Sequence, residues 1–175
     1  MKRILLFLLL MLYIFPLTAC SKASIQEPVN FYYRRVELNY SGTDSVIAAE
    51  VREAAGKSGD HSALLRDYLH GPDSDAFVRT IPAEVVLIAC HVDGNMADVV
   101  LSDEIATLTG MDLTIACACL TLTTIELTGV ETVQIRALTS ELETGLKIVM
   151  DRSCLNLIDS GTPNTQPATE QEATS

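Results

Sequence analysis

Five cysteines, three histidines and several close pairs of acids are the side chains of this sequence that could do chemistry. His61 and His70 are separated by nine positions in a stretch that reads as helix. At about 100° per residue they fall on opposite sides of it and cannot share a metal. His91 has only Cys90 and Asp93 beside it, too few ligands for a structural zinc. Cys117 and Cys119 would splay by about 200° on a helix, which suits neither a zinc knuckle nor a redox pair. On a strand they would share a face, but flanking loop ligands are missing. No serine stands in a nucleophile elbow, and no Gly-rich loop could cradle a phosphate. Asp103-Glu104 and Glu141/Glu143 read as solvated turn and loop charges. The sequence offers no catalytic residue, no metal set and no cofactor motif.

One cysteine does have a chemical assignment. Lys2 and Arg3 form a positive start, and Ile4 to Leu17 follows without a charged residue. That run is shorter than the roughly 20 residues that span a bilayer comfortably. It ends at Leu17-Thr18-Ala19-Cys20, with small residues before the cysteine. The order is that of a secretory signal, and its last four residues resemble a bacterial lipobox. The resemblance implies diacylglyceryl transfer to the Cys20 sulfur and cleavage before Cys20. Two acyl chains anchor stably where one does not, each buried CH₂ adding about 0.8 kcal/mol. The expected location is the outer face of the bacterial cytoplasmic membrane, with residues 1–19 as signal peptide and 20–29 as a short polar tether.

The whole 175-residue chain is acidic, with a net charge of −11. Such a charge repels nucleic-acid phosphates and anionic lipid headgroups. Nucleic acid is therefore not an expected partner, and the membrane is reached through the Cys20 lipid. The four other cysteines are even in number, which in an exported chain admits disulfides. Cys90, Cys117 and Cys119 nevertheless sit in apolar runs and read as small buried hydrophobes. Tyr32, Tyr33, Arg34 and Arg35 are the candidate binding residues, with Tyr40 near them. Tyrosines packed on a sheet are the commoner outcome for such a cluster.

These residues need elements to position them. Phe31 to Leu38 reads as a strand, Tyr40 to Asp44 as a turn, and Val46 to Glu53 as a second strand in a hairpin. Asp60 can cap a helix carrying Leu64, Leu65, Tyr68 and Leu69 on one stripe. Gly71-Pro72 ends it. Val85 to Val92 is nearly all apolar and reads as a strand buried on both faces. Asp93-Gly94-Asn95 then turns the chain into a strand over Met96 to Leu101. Ile105, Leu108, Met111, Ile115, Cys119, Leu122 and Ile125 step by three or four, as one face of a helix does. The break is placed after a short turn at Glu104–Leu108, leaving a longer helix from Met111 to Leu127 that Gly129 ends. Glu131 to Ala137 alternates as a strand, and Leu146 to Met150 is a further strand or docking segment. Residues 156–175 form an acidic tail whose composition predicts disorder.

Several of these pieces together resemble one family. They are Leu64-Leu65 with Leu69-His70-Gly71-Pro72, Ile81-Pro82, Val99-Val100-Leu101-Ser102, Leu120-Thr121-Leu122-Thr123, and Gly129-Val130-Glu131-Thr132-Val133-Gln134-Ile135. In that order and spacing they resemble the GerMN domain of sporulation and spore-germination lipoproteins. The resemblance implies an α/β (α+β sandwich) domain over residues 30–155. Its small mixed or antiparallel sheet would carry two helices on one face, similar to ring-building motifs. It also implies a non-catalytic, extracytoplasmic interaction module. The expected partners are envelope or sporulation proteins, with a second copy of the chain among the candidates. A single copy of the domain stands here. The alternative reading is a lipoprotein that binds a small ligand or cell-wall fragment through the Tyr32–Arg35 segment.

Overall fold

The computed structural model describes residues 28–37, 45–54, 56–138 and 145–155. The signal segment, Cys20, the tether before Pro28, Tyr40 with its turn, and the tail lie outside the described residues. The chain order is β1 (Pro28–Arg35), β2 (Ile47–Glu53), α1 (His61–Leu69), β3 (Phe77–Val78), β4 (Leu87–Asp93) and β5 (Met96–Ser102). A 3₁₀ turn (Asp103–Thr107) leads to α2 (Gly110–Thr128), β6 (Thr132–Leu138), β7 (Lys147–Asp151) and a last 3₁₀ turn (Arg152–Leu155). This is an α+β fold with two sheets.

The four-stranded sheet has the order β4-β5-β6-β7. Its outer pairs are antiparallel and β5–β6 is parallel. A parallel pair needs a crossover, and α2 supplies it. Both helices lie on the inner face: α2 against β6 and β7, α1 against β4 and α2. A three-stranded antiparallel sheet, β2-β1-β3, closes the other side of α2 through β1.

This placement explains α2. Residues 116–125 are buried without a break, so the helix has no solvent face in its middle. A helix apolar all round is either buried in a protein core or spans a membrane. By length and composition α2 could cross a bilayer, but here strands and α1 surround it. The expected single apolar stripe is corrected accordingly. The short turn expected at Glu104–Leu108 is present as the 3₁₀ turn that holds Ile105, whereas Met111, placed on the stripe, is 69% exposed. A stripe at helical spacing cannot reveal that the intervening Thr and Ala positions are buried too.

Threonine is a weak helix former because β-branching restricts χ1. Burial of a hydroxyl is a second cost, met at Thr124 and Thr128 but not at Thr121, whose Oγ1 is buried with no hydrogen-bond partner among the described residues. Thr114, Thr124 and Thr128 donate to the carbonyls of Gly110, Leu120 and Thr124, each one turn back. Thr123 Oγ1 accepts from the Tyr32 backbone N–H at 2.9 Å, which ties β1 to α2.

Helix ends follow the local sequence. Asp60 accepts from Ala63 N at 2.9 Å as the cap of α1, an arrangement worth about 1 kcal/mol. Gly71, at φ +92°, follows the last turn, where a left-handed residue ends the helix. A Cβ there would also sit 2.8 Å from Arg79 Nε.

The Val85–Val92 run is the clearest departure from expectation. β4 is the edge of its sheet, and of its seven residues only Leu87 is buried. An apolar run marks a strand but does not say whether neighbours cover both faces. The β5 and β6 alternations hold: Ala97, Val99, Leu101, Val133, Ile135 and Ala137 all face the core. β1 starts at Pro28, two residues before the expected domain boundary.

Candidate functional site

Strand alternation divides the Tyr32–Arg35 segment between two faces. Tyr33 points inward and is 1% exposed. It lies between Tyr68 of α1 and Phe77 of β3, and its hydroxyl donates to the Tyr68 carbonyl oxygen at 2.8 Å. Burial raises its phenol well above the ordinary value. A side chain so placed is core, not a ligand contact. Tyr32 is half-buried on the other face, and Arg34 lies 3.9 Å from Asp112 of α2. Arg35 is exposed at the β3 end of the strand, beside Glu37 and Asp75. The four residues do not form one surface, because neighbouring side chains on a strand point opposite ways.

The same strand pair holds a polar cluster that the sequence did not advertise. Glu50 of β2 is 8% exposed. Its carboxylate accepts from Arg52 Nε and Nη2 at 2.8 and 2.5 Å, and from the backbone N–H groups of Asp73 and Ser74. Arg52 also donates to the Gly71 carbonyl and lies over the Phe31 and Tyr33 rings. A buried carboxylate is tolerable when its lone pairs are filled in this way. The cluster pins the loop after α1 onto the three-stranded sheet. Every acceptor is engaged, so it reads as a latch.

Cys117 and Cys119 are equally structural. They are buried in α2 and free. Burial pushes the Cys117 thiol up to about 11 and that of Cys119 to about 12. A thiol held protonated is neither a nucleophile nor a metal ligand. Cys90 is free and half-buried. Among the described residues no three His, Cys, Asp or Glu groups converge on a metal position. His61 and His70 stand at opposite ends of α1, and His91 lies opposite Asp98 in the β4–β5 ladder.

What remains is the outer face of the four-stranded sheet, which carries no helix among the described residues. Asp98, Gln134 and Arg136 meet at its centre. Gln134 Nε2 donates to Asp98 Oδ1 at 3.0 Å, Arg136 Nε donates to the same oxygen at 2.8 Å, and Arg136 Nη2 reaches Oδ2. The hydrogen bond from Arg136, then that from Gln134, holds the Asp98 carboxyl below its ordinary value against partial burial. Around this network stand exposed apolar side chains: Met96 at 41%, Leu138 at 56% and Val149 at 52%. The parallel β5–β6 register, with Asp98 opposite Gln134, brings the polar residues together. Alternation alone marked Gln134 and Arg136 as outward, but only the register supplies their partner. The arrangement can bind a surface; it has no nucleophile–base pair.

A family model described as "Germane: Sporulation and spore germination" matches residues 30–138. No curated protein matches the sequence. Among solved structures, a Clostridium perfringens protein described as a candidate lipoprotein is similar at 12% identity and TM-score 0.44, over 73% of this chain and 88% of that one. The tandem GerMN domains of the sporulation protein GerM from Bacillus subtilis are similar at 15% identity and TM-score 0.49, over 66% of this chain and 39% of that one. The family match covers β1 through β6, including both helices and the Asp98–Arg136 network, so the chain belongs to the sporulation and spore germination family of GerM-like, or Germane, domains.

Proposed function

We propose that this protein is a non-catalytic interaction module of the bacterial envelope, lipid-anchored through Cys20 on the outer face of the cytoplasmic membrane. Family membership supports a role in sporulation, germination or assembly of an envelope complex. The observation that carries the reading is the outer face of the four-stranded sheet. It leaves Met96, Leu138 and Val149 in solvent around a satisfied polar centre. Interfaces combine apolar anchors with hydrogen-bonded polar groups, though usually with the apolar part at the core and the polar part at the rim. The partner class is an envelope protein or a second copy of the chain.

Two measurements test the reading. A photo-crosslinking amino acid at Val149, with one at the exposed Val51 of β2 as control, should yield a discrete adduct from Val149 in cells. No adduct from Val149, or equal adducts from both positions, removes the sheet face as the interface. Cys20→Ala should leave an unprocessed or mislocalised precursor, because the acyl acceptor is gone. Unchanged gel mobility and unchanged membrane fractionation would contradict the anchor.

A further inference from the structure

We infer that the free edge of β4 accepts an extended acidic segment of a partner protein as an added strand, an inference that rests on the interaction-module reading and names the partner's chemistry. Exposed sheet edges are normally blunted by charge, proline, brevity or a bulge, and β4 has one register shift, between Leu87 and Ala89. The β2 edge strand carries Glu50, Arg52 and Glu53, and β7 has Lys147 and Asp151 at its ends. β3 has only two residues. β4 carries one charge, Asp93 at its turn end, and from Val85 to Val92 there is no Asp, Glu, Lys, Arg or Pro. Val86 is 56% exposed, Ile88 46% and Val92 39%. Such an edge offers main-chain hydrogen bonds to an incoming strand and apolar contact to alternate side chains.

Charge selects the occupant. A groove of about 410 Å³ runs between the start of β4 and the end of α1, lined by Arg66, His70, Arg79, Leu69, Val85 and Val86. No carboxylate lines it. Arg79 is fixed there by donating to the carbonyls of Leu69 and His70. Among the described residues neither Arg66 nor Arg79 makes an ion pair. Two unpaired guanidiniums beside an open strand edge, in a chain of net charge −11, favour carboxylates on the added segment. The two guanidiniums also disfavour a meeting of two copies at this edge, which would bring basic groups together.

The test uses the full chain in detergent micelles. The probe is a fluorescein-labelled heptapeptide alternating valine and threonine, with glutamate at both ends. Its counterpart has lysine at both ends. Fluorescence anisotropy should show saturable binding of the glutamate peptide, about tenfold tighter than the lysine peptide. Arg66→Glu, on an exposed helix position, should remove most of that preference. Ile88→Asp should weaken the glutamate peptide further, with circular dichroism as the check on folding. Equal affinity for the two peptides, or no saturable binding of either, overturns the inference. A concentration-dependent dimer that Ile88→Asp abolishes would give the edge to a second copy and also overturn it. Anchoring plays no part in the measurement. A negative result removes the edge site and leaves the envelope module to its crosslinking test.

Discussion

Tyr33 of β1 stacks on Tyr68 of α1, with ring centroids 4.9 Å apart and planes inclined by 16°. The Tyr33 hydroxyl donates to the Tyr68 backbone carbonyl at 2.8 Å. One residue thus joins the three-stranded sheet to the helix by packing and by a hydrogen bond. Phe31 meets the edge of the same Tyr68 ring at 5.9 Å, so the contact continues along the strand.

Tyr33→Phe keeps the ring and removes the hydroxyl. Gly71 N also donates to the Tyr68 carbonyl, so that oxygen is not orphaned. The expected loss is at the low end for a hydrogen bond, about 0.5–1.5 kcal/mol in urea unfolding. Tyr33→Ala also removes the buried ring and should cost about 3–5 kcal/mol. Near-equal losses for the two variants would show that the stack contributes little.

Thr123→Val tests the bond between β1 and α2. Valine fills the same space but cannot accept from the Tyr32 N–H. The buried amide loses its side-chain partner, for an expected cost of about 1–2 kcal/mol. Hydrogen exchange at Tyr32 should accelerate selectively. Unchanged exchange there, with unchanged stability, would contradict the assignment.

Alkylation reads the cysteines directly. Cys117 and Cys119 are buried and their thiols are raised by that burial to about 11 and about 12. Iodoacetamide at pH 8 should leave both unmodified in the folded chain and modify both in denaturant, by peptide mass spectrometry. Modification of either under native conditions would show that α2 is not the enclosed core helix.

Acid titration reports the Asp98 network. In the folded chain the Asp98 carboxyl is held down first by the hydrogen bond from Arg136. It therefore binds its proton more weakly folded than unfolded. Its contribution to stability is complete above about pH 4 and is lost as the pH falls through the lowered folded value. Arg136 is partly solvated, so Arg136→Met should cost only about 0.5–1 kcal/mol near pH 7. The difference from the parent should shrink at pH 2–3. A difference that stays constant across this range would assign the loss to packing.

The sequence alone determined the elements whose signals are local. Asp60 and Gly71-Pro72 bound α1, Gly129 ends α2 with a left-handed φ of 73°, and the Val133-Ile135-Ala137 alternation marks β6. Caps, turns and strand periodicity depend on neighbouring residues, so they are written in order along the chain. The family resemblance was carried by the same local pieces, and the family match over residues 30–138 agrees with it. Tertiary structure decided everything that depends on what lies across from a residue. It made β4 an edge, although its apolar run suggested a strand covered on both faces. It enclosed α2 between two sheets, so threonines that look polar in sequence became core. It turned Tyr33 inward while Tyr32 remained half-buried on the opposite face, which dissolved the expected aromatic surface. It set Asp98 beside Gln134 and Arg136, 36 and 38 positions away. Only the register between β5 and β6, set by the α2 crossover, could make them partners.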